Sequence, residues 1–247
     1  MEVVELEQPG PLLDAVYREV LAPSFAPAEL VTLDELATGL RDGGTSVTAV
    51  FTDPRPPAAG RPVAAVVGDW SPASRVQLLS YLAVLPLSRG TGIGGRLLGQ
   101  ASGAWQRRRR PCVILAEVEH PAAHQATEEY GDPAARLRFY AGHGATALDL
   151  PYFQPALRPE TGRYYGMILL CLHLDPELAG SAPGTVATAP LHTFLTRNLA
   201  GAEGAGPPGG GPADPAVDRL LAALDRPAGI PMLAIERVDE LPVSAPG

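Results

Sequence analysis

The sequence has 247 residues, of which 46% are hydrophobic, and a formal net charge of −8. This length favours one domain with an extension or two small domains, and the negative charge argues against nucleic-acid binding. No apolar run approaches the ~20 residues of a membrane span, and the N-terminus lacks a signal-peptide pattern. We therefore expect a cytoplasmic protein with no membrane partner.

The spacing of apolar residues predicts the element order β-α-α-β-β-β-α-β-α-β-β up to about residue 180. The first strand is expected at a sheet edge. The predicted strands are 2–7, 45–52, 62–67, 75–85, 112–119, 145–150 and 164–174. The predicted helices are 11–21, 27–41, 90–107 and 133–142.

Beyond that point the pattern becomes weaker. Helices are predicted at 191–199 and 217–224 and a strand at 231–238, with a glycine- and proline-rich linker at 201–215 between the helices. The chain is accordingly divided into a domain at 1–180 and a C-terminal extension at 181–247.

The most informative stretch is 82–98, which reads L-A-V-L-P-L-S-R-G-T-G-I-G-G-R-L-L. A strand stops at Pro86, a glycine-rich loop follows, and from Ile93 the apolar residues take a helical period. A helix N-terminus presents unpaired N–H groups and the positive end of the dipole, and glycine lets an anion approach the backbone closely. The stretch therefore predicts a phosphate-binding loop.

Two motifs that bind nucleotide phosphates share features with this loop. Gly90, Gly92 and Gly95 form G-x-G-x-x-G, and Glu117 on the next predicted strand lies at a distance that a dinucleotide-binding fold requires. In that fold the strand runs almost directly into the first glycine, whereas Pro86 and Arg89 intervene here. A Walker loop is excluded because it requires lysine, and all 19 basic residues of this chain are arginine.

The same loop also contains R-x-x-G-x-G, formed by Arg89, Gly92 and Gly94 after a strand that ends V-x-P. Here the chain resembles the GCN5-related N-acetyltransferases (GNAT superfamily). The resemblance implies an α/β acyl-CoA N-acyltransferase fold, with a mixed central sheet flanked by helices and acetyl-CoA as the cofactor. The residues it assigns to acetyl-CoA are Leu82, Ala83, Val84, Arg89, Gly90, Thr91, Gly92, Ile93, Gly94, Gly95 and Arg96.

The strand ending A-E-V-E (116–119) and the helix reading R-F-Y-A-G-H-G (138–144) are similar to those of the ribosomal-protein alanine acetyltransferases. In that group the two elements flank the thioester, which implies Glu117 as the base and Tyr140 as the acid. A departure from the family is the insertion at 120–132. Two alternatives stay open: Tyr140 packs the helix onto the sheet, or Glu117 is an ordinary strand carboxylate and Glu119, on the same face, takes its place.

The resemblance implies transfer of acetyl to a primary amine by direct attack in a ternary complex, and the acidic chain suits a small cationic acceptor. Candidate acceptor residues are Asp69, Trp70, Glu119 and Tyr152, with Tyr130 and Phe153 as weaker ones. A non-catalytic acyl-CoA sensor or scaffold and an oxidoreductase remain alternatives. The sequence is also compatible with a homodimer.

No metal site is predicted from the sequence. His120, His124 and Glu128 have a spacing of four, but Pro121 disfavours a helix through them and no fuller ligand pattern appears. Cys112 and Cys171 each lie in an apolar run, which predicts buried free thiols.

Overall fold

The computed structural model describes residues 1–52, 60–127, 131–157, 162–203 and 214–246. The chain divides into two compact units. The first comprises Met1–Trp70 and Gln77–Arg109, and the second comprises Ser71–Val76 and Arg110–Gly247. Most of the predicted linker at 201–215 lies outside the described residues.

The first unit contains strands that follow one another in chain order across its sheet. They are β1 (Glu2–Leu6), β2 (Thr45–Phe51), β3 (Pro62–Ser71) and β4 (Val76–Val84), of which Ser71 and Val76 at the adjoining ends of β3 and β4 belong to the second unit. β1 pairs with β2 and β2 with β3, both antiparallel, and β1 is at the edge as predicted. A doubly wound dinucleotide fold has a parallel sheet, so these antiparallel pairs argue against the oxidoreductase alternative.

Three helices lie in the described part of this unit: α1 (Pro11–Val16), which continues as a π-helical turn at Tyr17–Leu21, α2 (Leu33–Arg41) and α3 (Ile93–Arg109). α2 begins six residues later than the predicted 27, because Thr32 and Glu35 form a capping box. The Oγ1 of Thr32 accepts from the Glu35 N–H at 3.2 Å, and the Glu35 carboxylate accepts from the Thr32 N–H at 2.7 Å.

The N-terminal helices bury their apolar side chains against β-branched residues of the strands, with Leu13, Val16, Val20 and Val47 at most 1% exposed. Helix α3 is fixed separately, because buried Trp105 donates its indole N–H to the Ser46 hydroxyl on β2 at 2.7 Å. This anchor holds the helix whose N-terminus follows the glycine loop.

The strands of the second unit lie in the order β5-β7-β6-β9-β8, and the neighbouring strands in this order pair antiparallel. The strands are β5 (Val113–Glu119), β6 (Thr146–Leu148), β7 (Met167–Leu174), β8 (Thr185–Val186) and β9 (Ile230–Ala234). The helices are α4 (Pro133–Ala141), α5 (Thr188–Glu203) and α6 (Pro215–Ala223).

Strands β8 and β9, both after residue 180, thus pair with one another, and β9 also pairs with β6. β9 pairs with β6 through Thr146↔Ala234 to Leu148↔Met232, and the chain then turns into a 3₁₀ segment at Ile235–Glu240. β8 was not predicted, because a strand of two residues is too short to show an alternation of apolar and polar side chains. The division at residue 180 stays a prediction.

Both cysteines are buried free thiols, as predicted. Of the helices in the described ranges, none has the length and apolar character needed to cross a membrane.

Candidate active site

The glycine loop lies in the first unit, between β4 and α3. Leu82, Ala83 and Val84 end β4, and a single 3₁₀ turn at Pro86–Ser88 follows. The Arg89 Nε donates to the Val84 carbonyl at 3.0 Å, and the Thr91 hydroxyl donates to the Ser88 carbonyl at 2.6 Å. These two hydrogen bonds from side chains to backbone carbonyls restrain the loop immediately before α3.

Two of the loop glycines adopt a backbone conformation that other residues rarely take. Gly90 has φ 74° and Gly92 has φ 78°, and a Cβ at either position meets no atom within 4 Å. The glycines are therefore required by backbone conformation and not by crowding within the chain. The open space on this side leaves the backbone approachable.

The backbone donors of the loop point to a ligand. The helix ladder begins with the Arg96 N–H, which donates to the Gly92 carbonyl at 3.1 Å. Among the described residues, none accepts a hydrogen bond from the N–H groups of Gly90 to Gly95. Several adjacent unpaired donors at a helix start form a binding site for phosphate oxygens.

Glu117 on β5 belongs to the second unit and accepts hydrogen bonds from two side chains within the described ranges. The Tyr152 hydroxyl makes a short hydrogen bond to Oε1, and the Gln154 Nε2 donates to Oε2 at 3.3 Å. Burial raises the pKa of Glu117 above its usual range, and the hydrogen bond from Tyr152 lowers it in part. Glu117 is therefore a stronger base than a solvated glutamate.

Tyr152 is restrained by a hydrogen bond from Ser244, which lies far from it in the sequence. Its side chain is fully buried, and its own carbonyl accepts from the Ser244 hydroxyl at 2.5 Å. Ser244 Oγ in turn accepts from the Gly166 N–H at 2.9 Å. Burial and the neighbouring Glu117 carboxylate raise the pKa of Tyr152 well above its usual value, so the proton of the pair stays on the tyrosine.

Tyr140 lies in the last part of α4 and is 4% exposed. Burial raises its pKa to about 12, although the nearby Arg136 guanidinium opposes the shift. Its hydroxyl makes no hydrogen bond within the described parts of the chain. A buried phenol normally has a partner, so this hydroxyl is available to a ligand.

Glu119, the alternative base, makes different contacts. Its Oε2 accepts from Arg136 on α4 at 2.9 Å, and its Oε1 accepts from the Tyr164 hydroxyl at 2.9 Å. Tyr164 also stacks on His124, with ring centroids 4.8 Å apart. Glu119 is thus already paired, and the ion pair with Arg136 links α4 to β5.

The remaining candidates are placed as follows. Asp69 and Trp70 lie at the end of β3 in the first unit. One Asp69 carboxylate oxygen accepts a hydrogen bond from the Thr45 hydroxyl and the other accepts one from the Ser80 hydroxyl, each at 2.5 Å. The guanidinium of Arg109 lies 5.3 Å from the Trp70 ring centroid. Tyr130 and Glu128 lie outside the described residues.

The sequence analysis missed Gln154 and Ser244. Neither belongs to a motif, and Ser244 lies 92 positions from Tyr152 in the chain. Only a weak signal existed, a cluster of polar and aromatic residues at 152–154 just after a predicted strand.

The comparisons support the fold that the loop predicts. No family model matches the sequence, and neither does any curated protein. A protein from Bacteroides thetaiotaomicron assigned to the GNAT family of acetyltransferases is 23% identical, covers 72% of this chain and 90% of its own, and superposes with a TM-score of 0.51.

Two further solved structures are similar at lower scores. The NatC complex bound to Gag peptide and CoA is 19% identical, with 71% of this chain and 100% of that chain covered and a TM-score of 0.47. A ribosomal-protein alanine N-acetyltransferase from Escherichia coli is 16% identical, with 70% and 95% covered and a TM-score of 0.46. The first comparison and the element order together show that this chain has the GNAT acetyltransferase fold.

Proposed function

We propose that this protein is an acetyl-CoA-dependent N-acetyltransferase that acetylates a small cationic primary amine by direct attack in a ternary complex. The observation that carries the proposal is the row of unpaired backbone N–H groups from Gly90 to Gly95 ahead of α3. Donors in this number suit a pyrophosphate, which offers several anionic oxygens. The hydrogen bond from the Arg89 side chain to the Val84 carbonyl restrains the loop that carries these N–H groups.

Glu117 is assigned the role of base. An alkylammonium has a pKa of about 10, so at neutral pH the acceptor must lose a proton before its nitrogen attacks the thioester carbonyl. Glu117 accepts that proton, and its raised pKa brings it closer to that of the amine. Tyr152 and Gln154 fix the orientation of the carboxylate.

Tyr140 is assigned to the departing sulfur. Attack by the neutral amine gives a tetrahedral adduct whose nitrogen carries one proton more than the amide product. This proton passes to solvent, and collapse of the adduct breaks the C–S bond and leaves the electron pair on sulfur as a thiolate. A thiol has a pKa of about 8.5, and Tyr140 has one of about 12, so complete transfer of its proton to the thiolate is unfavourable. We therefore assign Tyr140 as the hydrogen-bond donor that stabilises the developing charge while keeping its proton.

The pH dependence of the rate tests Glu117. Because only the ionised carboxylate is a base and burial raises its pKa, kcat/KM is expected to fall on acidification through a pKa above about 4.3, the value of a solvated glutamate. Tyr152→Phe removes the bond that lowers this pKa, so the acidic limb should move to higher pH. Glu117→Gln should lower the rate at least about tenfold at pH values above the acidic limb and below about 10, where the carboxylate is ionised and the amine is still protonated.

Glu119→Gln is the matched control, since it removes the other carboxylate on the same strand face. Its acidic limb should stay where the unmodified protein has it. If Glu119→Gln abolishes the limb while Glu117→Gln keeps it, the base is Glu119 and the assignment of Glu117 is wrong.

Ligand binding separates the proposed function from its alternatives. Acetyl-CoA should raise Tm, whereas NAD and ATP at the same concentration should not, because only a ligand specific for the folded state stabilises it. Release of CoA with a panel of primary amines then distinguishes an enzyme from an acyl-CoA sensor. Stabilisation by acetyl-CoA without turnover of any amine would support the sensor, and stabilisation by NAD alone would refute the proposal.

A further inference from the structure

A second group of chemically active side chains lies at the other end of β5 from Glu119. Cys112 immediately precedes β5, and His173 and Asp175 lie at and just after the end of β7. The two strands are antiparallel with Val113 opposite Leu174, so these residues come together at one end of the strand pair. No residue of the proposed acetyl-transfer machinery belongs to this group.

The donor atoms of Cys112, His173 and Asp175 all lie within 4.8 Å of one another. Zinc–ligand bonds of 2.0–2.3 Å in a tetrahedron put ligand atoms roughly 3.3 to 3.8 Å apart, so small side-chain adjustments bring the set to coordination distance. Cys112 is 0% and Asp175 is 3% exposed, which removes both from competition with bulk water.

The histidine supplies the independent sign of a missing ligand. Its Nε2 is buried and meets the criteria for a hydrogen bond with no group among the described residues, although it lies 3.3 Å from the Asp175 Oδ1. A buried imidazole nitrogen without a partner is uncommon in a folded protein. A metal ion bound between the two groups satisfies it, since neutral imidazole is among the commonest metal ligands.

The other contacts of Asp175 leave one oxygen for a metal. Oδ2 accepts from the Cys112 N–H at 2.7 Å, which holds the carboxylate beside the thiol. Oδ1 faces His173 and the Nε of Arg110, each at 3.3 Å. The Arg110 side chain is 63% exposed, so it can move into solvent when a cation binds.

A catalytic triad is the competing interpretation of cysteine, histidine and aspartate together. Burial raises the pKa of the Cys112 thiol to about 11, and a nucleophilic cysteine needs a lowered pKa and access to substrate. Cys112 has neither, so the group is not a nucleophile.

We propose that Cys112, His173 and Asp175 form a binding site for a divalent transition metal of the zinc class, with water as the fourth ligand. The thiol proton passes to solvent as the sulfur–metal bond forms. Such an ion ties the start of β5 to the end of β7, so its role is structural. The sequence analysis predicted no metal site, because His173 lies 61 positions after Cys112 and no ligand motif spans that distance.

Cobalt(II) is the probe, because a cysteine thiolate bound to it gives a near-ultraviolet charge-transfer band. The full chain, stripped of metal with a chelator, should bind one equivalent of Co²⁺ with this band and lose it on addition of Zn²⁺. Zn²⁺ at about 100 times its Kd should raise Tm by about 5–10 °C. Absence of the band in the folded protein refutes the proposal.

Two variants and their controls locate the site. His173→Gln should weaken Co²⁺ binding at least about tenfold, the loss typical of removing even an outer partner of a metal ligand. Arg110→Gln should strengthen binding, because it removes the cation that competes for Asp175. Cys171→Ser and His192→Gln change a thiol and an imidazole outside the group and should leave binding unchanged.

Cys112 is buried, and Cys112→Ser is not needed for the test even if that variant fails to fold. The variants at His173 and Arg110, with the two controls, locate the metal without changing Cys112. If Cys171→Ser loses the band, or if Arg110→Gln weakens binding and His173→Gln leaves it intact, the metal lies elsewhere and the proposal is wrong.

Discussion

Replacing Gly92 with valine is expected to weaken acetyl-CoA binding by about 10- to 100-fold, the effect of losing one charge-assisted hydrogen bond. Gly92 has φ 78°, a conformation that a β-branched residue strongly disfavours. Either the loop shifts and its N–H groups turn away from the phosphates, or the valine side chain occupies the open space before them. Isothermal titration with acetyl-CoA measures the loss. Gly94→Val, in the first turn of α3, should act in the same direction.

Gly43→Val is the matched control for this experiment. Gly43 lies in the same unit, has φ 70°, and likewise has no atom within 4 Å of an added Cβ, but it follows α2 and not the loop. The two substitutions should cost similar amounts of stability, and only Gly92→Val should affect the ligand. Normal acetyl-CoA binding by both folded loop variants, Gly92→Val and Gly94→Val, would show that the loop is not the binding site.

Replacing Tyr140 with phenylalanine is expected to lower kcat at least about tenfold, a conservative value for the loss of one donor to a developing negative charge. The substitution removes only the hydroxyl and retains the ring that packs α4, so fold and acetyl-CoA affinity should change little. Because the pKa of Tyr140 is about 12, its donor proton is present throughout pH 6 to about 10, and the relative loss should be constant over that range.

Tyr17→Phe controls for the removal of a tyrosine hydroxyl as such. The Tyr17 hydroxyl already donates to the Val31 carbonyl at 3.0 Å, so its loss affects stability and not the chemical step. Under conditions where chemistry limits turnover, a wild-type rate in Tyr140→Phe would make Tyr140 a packing residue, and the role at the sulfur would have to be withdrawn.

The sequence alone determined those features whose causes lie within about 20 consecutive residues. The loop could be predicted because glycines at 90 and 92 and a helical period from Ile93 are local requirements of a strand–loop–helix connection. The element order up to about residue 180 was predicted correctly, whereas the start of α2 differs from the predicted one because the capping box at Thr32 was not recognised. The GNAT fold followed from these local patterns and a family resemblance.

The tertiary structure alone decided which side chains lie together. The contact of Tyr152 with Glu117 joins residues 35 positions apart, and Ser244 reaches Tyr152 across 92 positions. The group formed by Cys112, His173 and Asp175 exists only because β5 and β7 pair antiparallel with Val113 opposite Leu174. Hydrophobic periodicity specifies which face of a strand is buried, but burial is non-directional and does not specify which strands become neighbours. The partners of Glu117 and the surroundings of His173 depend on which segments become neighbours.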